Sequence, residues 1–148
     1  YSRILVPIDG SPTSQRGLTE ALALAKRLDA AVVLLHVVDA YPMMIEMATS
    51  TTWDRISEGL RQMGRTTLEA AHAAAAKQGV PCESVLEDVA AARVADVIVE
   101  QAKSRRCELI VMGTHGRRGA GRALLGSDAE LVLRLSPVPV LLVRAPQG

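Results

Sequence analysis

A glycine-rich stretch in the last third of the sequence has the residue types and spacing of an anion-binding loop. Five glycines fall between positions 113 and 126, after an apolar run and before a helical pattern. Glycine lets a ligand lie directly on the backbone, and N–H groups that end at a helix N-terminus bind phosphate. We interpret these glycines as serving ligand approach and not packing, so Gly113→Val is expected to abolish binding without unfolding the protein.

The side chains within this loop also fit a phosphate ligand. Arg117, together with Arg118 and Arg122, adds positive charge at the same place. Arginine pairs well with phosphate oxygens, so phosphate is the ligand class that the loop predicts. His115 has two open interpretations, a contact to phosphate or a structural role in the loop.

The end of the loop coincides with the start of a helix. Ser127 and Glu130 have the spacing of a capping box with Ser127 as the N-cap. The Ser127 hydroxyl could instead donate to a phosphate oxygen, and one hydroxyl can fill both roles. We include Asp128 in the candidate site, although we expect its side chain to point into the helix cap.

Asp9 is a second polar residue with two interpretations. It follows the first apolar run and precedes Gly10, so it could simply cap a turn. A carboxylate at the end of a strand can also accept a hydrogen bond from an adenine amine or a ribose hydroxyl. It would not suit a phosphate, which carries the same sign of charge.

Strands and helices that could position these residues alternate along the chain. Apolar runs predict strands at 3–8, 31–38, 82–87, 108–112 and 138–144, and helical periodicity predicts helices at 12–29, 54–78, 91–104 and 128–135. Residues 39–53 form a long connection or a partly helical lid. The alternation predicts a single-domain α/β fold, with an open five-stranded parallel sheet and helices on both faces.

The order of the strands decides whether the candidate residues meet. We choose the Rossmann-like order 3-2-1-4-5 over its rival, the flavodoxin-like order 2-1-3-4-5. Ligands bind an open parallel sheet at the carboxyl ends of its strands, where the order reverses. In the chosen order this crevice lies between the first and fourth strands, so Asp9 and Gly113 are expected to face each other across it.

The composition of the chain argues against several classes of function. The 148 residues suit one domain, 1–148, and the net charge of +1 with 2% aromatic residues argues against nucleic acid as a partner. The two cysteines and three scattered histidines show no zinc spacing. With no apolar run of ~20 residues and no signal peptide in the chain as given, we expect no membrane partner and a cytoplasmic location. A leader removed earlier remains open.

Other nucleotide-binding motifs fit the loop poorly. Residues 116–123 resemble a P-loop only superficially, because Arg122 and Ala123 stand where lysine and serine or threonine are required. The dinucleotide fingerprint G-x-G-x-x-G fails at Leu124.

One sequence motif does fit the glycine loop, and it belongs to a known protein family. Gly113 and Gly116, followed after nine residues by Gly126 and Ser127, reproduce G-2x-G-9x-G-(S/T). The chain thereby resembles the ATP-binding branch of the universal stress protein family. Further stretches match in order over essentially the whole chain: ILVPIDGS at 4–11, LLHVVD at 34–39, ELIVMGTHG at 108–116 and SPVPVLLVR at 136–144.

This resemblance implies an ATP site in which Mg²⁺ accompanies the phosphates. Asp9 would lie against the adenine or its ribose, and Pro7 and Val37 would line the base and sugar pocket. The ribose and triphosphate would be held by the motif residues Gly113, Gly116, Gly126 and Ser127. The family also implies a small cytosolic, stress-linked regulator with weak or absent catalysis, often a homodimer.

The last predicted strand gives an independent reason to expect a homodimer. Residues 138–144 are apolar up to Arg144 and would form an edge of the sheet. An unguarded apolar edge invites pairing, and a second copy related by a two-fold axis would cover it.

We therefore expect an ATP-binding regulatory module, recognised by an unidentified protein partner, and not an enzyme. We find no catalytic residue, because no clear general base lies beside the phosphate loop. A slow ATPase or autophosphorylating enzyme and a binder of AMP or cyclic AMP remain alternatives. Met43, Met44 and Met47 would form either a lid over adenine or core or dimer contacts.

Overall fold

Strands and helices alternate along the part of the chain that the computed structural model describes, residues 1–40, 50–89, 92–116 and 125–144. The elements are β1 Arg3–Pro7, α1 Pro12–Leu28, β2 Ala31–Asp39, α2 Ser50–Gln78, β3 Cys82–Val89, α3 Val94–Ser104, β4 Leu109–Gly113, α4 Ser127–Leu135 and β5 Val140–Val143.

The strands form one parallel sheet in the order β3-β2-β1-β4-β5, which confirms the predicted order. The central strand β1 pairs with β2 along its whole length, and with β4 where Ile4 lies opposite Leu109. The chain crosses from one side of β1 to the other between β3 and β4. The carboxyl ends of β1 and β4 therefore flank the point at which the order reverses.

Helices cover both faces of the sheet, and each face has its own core. Neighbouring residues of a strand point to opposite faces, so Ile4 and Val6 pack beneath α1 and α2, while Leu5 packs beneath α3 and α4. All three side chains are fully buried. This double burial is the reason that β1 and β2 are continuous apolar runs, as predicted.

Helix α1 begins on a capped turn beside the crevice. The Ser11 hydroxyl accepts the N–H of Ser14 at 3.2 Å, and Pro12 is the first helical residue, as predicted. One turn further, Gly17 lies so close to β4 that an added Cβ would be 3.2 Å from the Gly113 nitrogen. This close packing fixes the start of α1 against the end of β4.

Several predicted boundaries differ from the observed ones, among them those of α2, α3 and β5. Helix α2 begins at Ser50, so the end of the predicted 39–53 connection is helical, while residues 41–49 with the three methionines lie outside the described residues. Helix α3 begins at Val94 and not at 91. Strand β5 covers only Val140–Val143, because the Ser136 side chain bonds both the N–H and the carbonyl of Val138 in a turn.

Among the described residues, no helix is both long enough and apolar enough to cross a bilayer.

Candidate functional site

A cavity of about 500 Å³ lies above the carboxyl ends of β1, β2 and β4. Small-molecule sites typically measure ~300–1,000 Å³. The predicted site residues that line it are Pro7, Asp9, Val37, Gly113, His115, Gly116, Gly126, Ser127 and Asp128. The remaining one, Arg117, lies outside the described residues. The fold thus brings together residues from both ends of the sequence, as the strand order predicts.

Asp9 caps a turn and also borders the cavity. Its Oδ1 accepts the N–H of Ser11 at 2.9 Å, which is the structural role that the sequence allowed. Its Oδ2 lies against Gly116, where an added Cβ would be 2.7 Å away. Oδ1 thus fills the structural role, while the second interpretation, a contact of the carboxylate with adenosine, stays a prediction.

Three hydrogen bonds fix the base of the glycine loop. The Thr114 N–H donates to the Val143 carbonyl at 2.9 Å, and the Gly126 N–H donates to the Thr114 carbonyl at 2.9 Å. The Thr13 hydroxyl donates to the His115 carbonyl at 2.8 Å. The loop thus leaves β4 and returns to the same point at the end of the sheet, with α1 tied to it.

The prediction that Ser127 is the N-cap of the last helix is wrong by one residue. Gly126 has the extended backbone of an N-cap, and its carbonyl accepts the N–H of Glu130 at 2.9 Å. Ser127 is the first residue of α4, and it is exposed at the cavity. A glycine cap needs no side chain, so the Ser127 hydroxyl is placed at the helix N-terminus where an anion would bind.

The prediction that the loop glycines serve no packing is wrong for Gly113 and Gly126. A Cβ on Gly113 would lie 2.8 Å from the backbone carbon of Thr13, and a Cβ on Gly126 would lie 3.1 Å from the Thr114 carbonyl oxygen. Gly113 is therefore required for α1 to pack on β4. We now expect Gly113→Val to destabilise the fold itself.

The cavity has an apolar end and a polar end. Towards β2 and α3 its walls include the apolar Leu35, Val37, Val94 and Ile98, with Asp39 and Arg93 beside them. Towards β4 and α4 it is bounded by the loop base and the first turn of α4. The sheet order causes this division, because β2 and β4 lie on opposite sides of β1.

Sequence reasoning missed four polar residues that line the cavity: Ser14, Asp39, Arg93 and Thr114. Asp39 ends β2 and Thr114 follows β4, so the strand-end rule that selected Asp9 could have found both. Arg93 was not recognised as a site residue because the third helix was predicted to begin at residue 91, which placed Arg93 within the helix. It is instead the residue before α3.

Arg93 is held by an ion pair at the cavity rim. Its Nε and Nη2 donate to the Asp96 carboxylate at 2.9 and 2.8 Å. This hydrogen bonding lowers the pKa of Asp96 below its ordinary value, and it raises the pKa of Arg93. Asp96 therefore carries its full negative charge over the neutral range.

In the described part of the chain, the cysteine side chains show no activated nucleophile, and no metal site is found. The Nδ1 of buried His36 lies 2.9 Å from the Ile8 carbonyl, so His36 is a hydrogen-bonded core residue. Cys82 and Cys107 are free, and burial raises the pKa of both thiols, so neither is an activated nucleophile. No group of three histidine, cysteine or acidic side chains within the described ranges could hold a metal ion.

A cavity at the reversal of strand order, bounded by a glycine loop and a helix N-terminus, defines an α/β domain of the class that binds small molecules at such a switch point. Comparison with known proteins makes the assignment specific. Residues 1–144 match the universal stress protein family, and the chain belongs to this family.

Individual relatives agree with this result. Universal stress protein MJ0531 of Methanocaldococcus jannaschii is 38% identical over 148 residues, which cover 99% of this chain and 84% of that protein. The solved structure of MJ0577 superimposes with a TM-score of 0.86 at 25% identity, covering 100% of this chain and 99% of that one.

Two similar structures contain nucleotides. A universal stress protein in complex with cAMP has a TM-score of 0.69 at 24% identity, with coverage of 99% and 98%. A universal stress protein family member from Arabidopsis thaliana with AMP bound has a TM-score of 0.71 at 18% identity, with coverage of 99% and 93%. At such identities the likeness shows the shared fold.

Proposed function

We propose that this chain binds ATP in the cavity and acts as a stress-response regulatory protein. The contact between Asp9 and Gly116 carries the proposal, because an added Cβ on Gly116 would lie 2.7 Å from Oδ2 of Asp9. A carboxylate suited to adenosine amine or hydroxyl groups thus borders a loop suited to phosphate. A ligand that carries both kinds of group satisfies both halves of the site.

The two ends of the cavity support one orientation of the nucleotide. The base would lie against Val37 and Leu35, and the phosphates would lie over Gly126 and Ser127 at the N-terminus of α4, where the helix dipole favours negative charge. Mg²⁺ would be held by the phosphates and would neutralise part of their charge. AMP and cyclic AMP share the base and ribose, and they remain candidate ligands because the loop favours phosphate without fixing its number.

We assign the site to binding and not to rapid turnover. The Nδ1 of His115 is engaged with the Thr114 hydroxyl at 3.0 Å, and Oδ1 of Asp9 is engaged with Ser11. A slow ATPase is the second candidate, and Asp128 favours it, because this carboxylate lines the phosphate end and could orient a water. Turnover above about one per minute, against ~10 per second for typical enzymes, would favour the ATPase.

A regulatory role requires that another molecule recognises the nucleotide-bound form of this protein. We propose a cytoplasmic homodimer, paired through the last strand, whose nucleotide-bound form is recognised by an unidentified protein partner. The exposed side chain of Leu141 on β5 supports the pairing, because it leaves apolar surface at the sheet edge.

The first experiment denatures the freshly purified protein and separates the released nucleotide by anion exchange. About one ATP per chain supports tight binding with little hydrolysis, and released ADP supports the slow ATPase. If no nucleotide is released and calorimetry shows no heat with ATP and Mg²⁺, the proposal is wrong.

A second experiment tests the role of Asp9. Asp9→Asn keeps an oxygen for the Ser11 N–H but removes the charge, so we expect weaker ATP binding and unchanged affinity for inorganic triphosphate. Calorimetry with both ligands measures the difference. An equal loss for both ligands would contradict the assigned contact to adenosine.

A further inference from the structure

Arg93 stands at the rim of the apolar end of the cavity. It is the one lysine or arginine that the described residues contribute to the cavity lining. Its side chain is 58% exposed, and both of its described bonds are made to Asp96, on the first turn of α3. A long cationic side chain is therefore attached at the cavity but directed to a partner on its own helix.

The surroundings of Arg93 suit the contact with a flat aromatic ring better than contact with phosphate. Its chain neighbour Val94 is part of the apolar wall, which continues through Val37 and Ile98. The phosphate-binding features, the loop base and the start of α4, belong to β4, which lies across β1 from β2. A guanidinium group is planar, weakly hydrated and stacks readily on aromatic faces.

The bond to Asp96 is of the kind that a ligand can replace. Both side chains are more than one third exposed, at 58% and 38%, and exposed ion pairs contribute little stability. Stacking of a base on a protein side chain is at least comparable in strength. The backbone N–H of Arg93 also donates to Asp96 at 3.3 Å, so Asp96 keeps a role at the start of α3 after the guanidinium leaves.

We propose that Arg93 exchanges Asp96 for the bound nucleotide and stacks its guanidinium on the base, closing the apolar end of the cavity. This inference rests on the proposed function, since it needs a nucleotide in the cavity. Arg93 is then a base-recognition residue, and Asp96 is a competitor that holds it in the empty protein.

The proposal predicts that substitutions of Arg93 and of Asp96 change ATP affinity in opposite directions. We expect Arg93→Ala to weaken ATP binding about tenfold, the effect of one lost stacking contact. Asp96→Asn releases Arg93 and is expected to tighten ATP binding about two- to threefold, the strength of an exposed pair. Asparagine can still accept the backbone N–H, so thermal melting of this variant serves as the control for the fold.

Calorimetry of the full chain with ATP and with inorganic triphosphate separates the possible outcomes. The proposal expects Arg93→Ala to leave triphosphate affinity unchanged, and Arg93→Lys, which keeps the charge without the plane, to recover little of the lost ATP affinity. An equal loss for both ligands with rescue by lysine would make Arg93 a phosphate ligand and would overturn the proposal. Unchanged ATP affinity in both variants would also overturn it.

A separate readout distinguishes failure of this inference from failure of the proposed function. Absence of ATP binding by the unmodified protein contradicts the function itself. If ATP binds, NMR titration of the Asp96 carboxyl in the saturated complex is expected to show its pKa rising towards the ordinary value, because the guanidinium that lowers it has left. A pKa that stays low in the complex contradicts the exchange alone.

Discussion

Gly116 and Gly113 are three positions apart, yet a methyl group added to each would meet a different obstacle. At Gly116 the obstacle is the Asp9 carboxylate, 2.7 Å from the new atom, and at Gly113 it is the Thr13 backbone at 2.8 Å. The half-buried Asp9 side chain can move aside, whereas the backbone of a packed helix cannot do so cheaply. The two substitutions should therefore affect different properties.

We predict that Gly116→Ala weakens ATP binding at least about tenfold, because the new methyl group displaces Asp9 and a lost hydrogen bond to a charged group costs about 1.5–3 kcal/mol. Its melting temperature should stay close to that of the unmodified protein, because Gly116 is exposed. Gly113→Ala is the matched comparison, and we expect it to lower the melting temperature relative to the unmodified protein. Calorimetry and thermal melting of both variants check this, and normal ATP affinity in Gly116→Ala would contradict the placement of Asp9 at the ligand.

Helix α2 also contains two glycines with different surroundings, Gly59 and Gly64. A Cβ on Gly64 would lie 2.6 Å from the buried His36 ring and 2.7 Å from a Leu86 methyl, whereas a Cβ on Gly59 would meet nothing within 4 Å. Helix α2 therefore packs on β2 and β3 at Gly64, and Gly59 lies on its exposed side.

We predict opposite effects of alanine at these two glycines. Gly59→Ala is expected to raise the free energy of unfolding by about 0.5–1 kcal/mol, because alanine favours the helix. Gly64→Ala is expected to lower it by about 1–3 kcal/mol through overpacking against His36 and Leu86. Urea unfolding measures both, and a stabilising Gly64→Ala would show that α2 does not pack on the sheet at this point.

These glycines also mark how far the sequence predicts the structure. The alternation of apolar runs and helical periods predicted a parallel α/β sheet, and the order chosen from two candidate topologies placed Asp9 beside the glycine loop. The separate roles of Gly113 and Gly116 could not be predicted, because they depend on which distant segment crosses above each position. The cap at Gly126 was missed for a related reason, since a glycine supplies only backbone to the cap and leaves no pattern of side chains.

At the scale of the whole molecule, the two edges of the sheet differ in charge. The edge strand β3 carries Glu83, Glu87 and Asp88, while β5 consists of valine and leucine alone. Charged side chains discourage a further strand from pairing, so, as far as the described residues show, the sheet is protected by charge at β3 and not at β5. This asymmetry supports pairing of two copies through β5.

We predict that the protein is a dimer at micromolar concentration and that Leu141→Lys makes it monomeric. Leu141 is 43% exposed in the single chain, so lysine there costs the isolated fold little, and any large loss of stability reports lost pairing. Leu28→Lys is the matched control, because Leu28 is equally exposed at 43% but lies at the end of α1. Analytical ultracentrifugation decides the matter, and a monomeric unmodified protein would rule out the dimer.

The position of β1 makes its backbone a reporter for everything that binds the folded chain. It has a strand on each side and a core on each face, and Ile4, Leu5 and Val6 have no exposed surface. Amide hydrogens in such a strand exchange with solvent deuterium only when the whole domain opens. A ligand specific for the folded state at about 100 times its Kd slows that opening-limited exchange about a hundredfold. Deuterium uptake at three central residues would thus measure nucleotide affinity without an assay of function, for any ligand offered to the crevice.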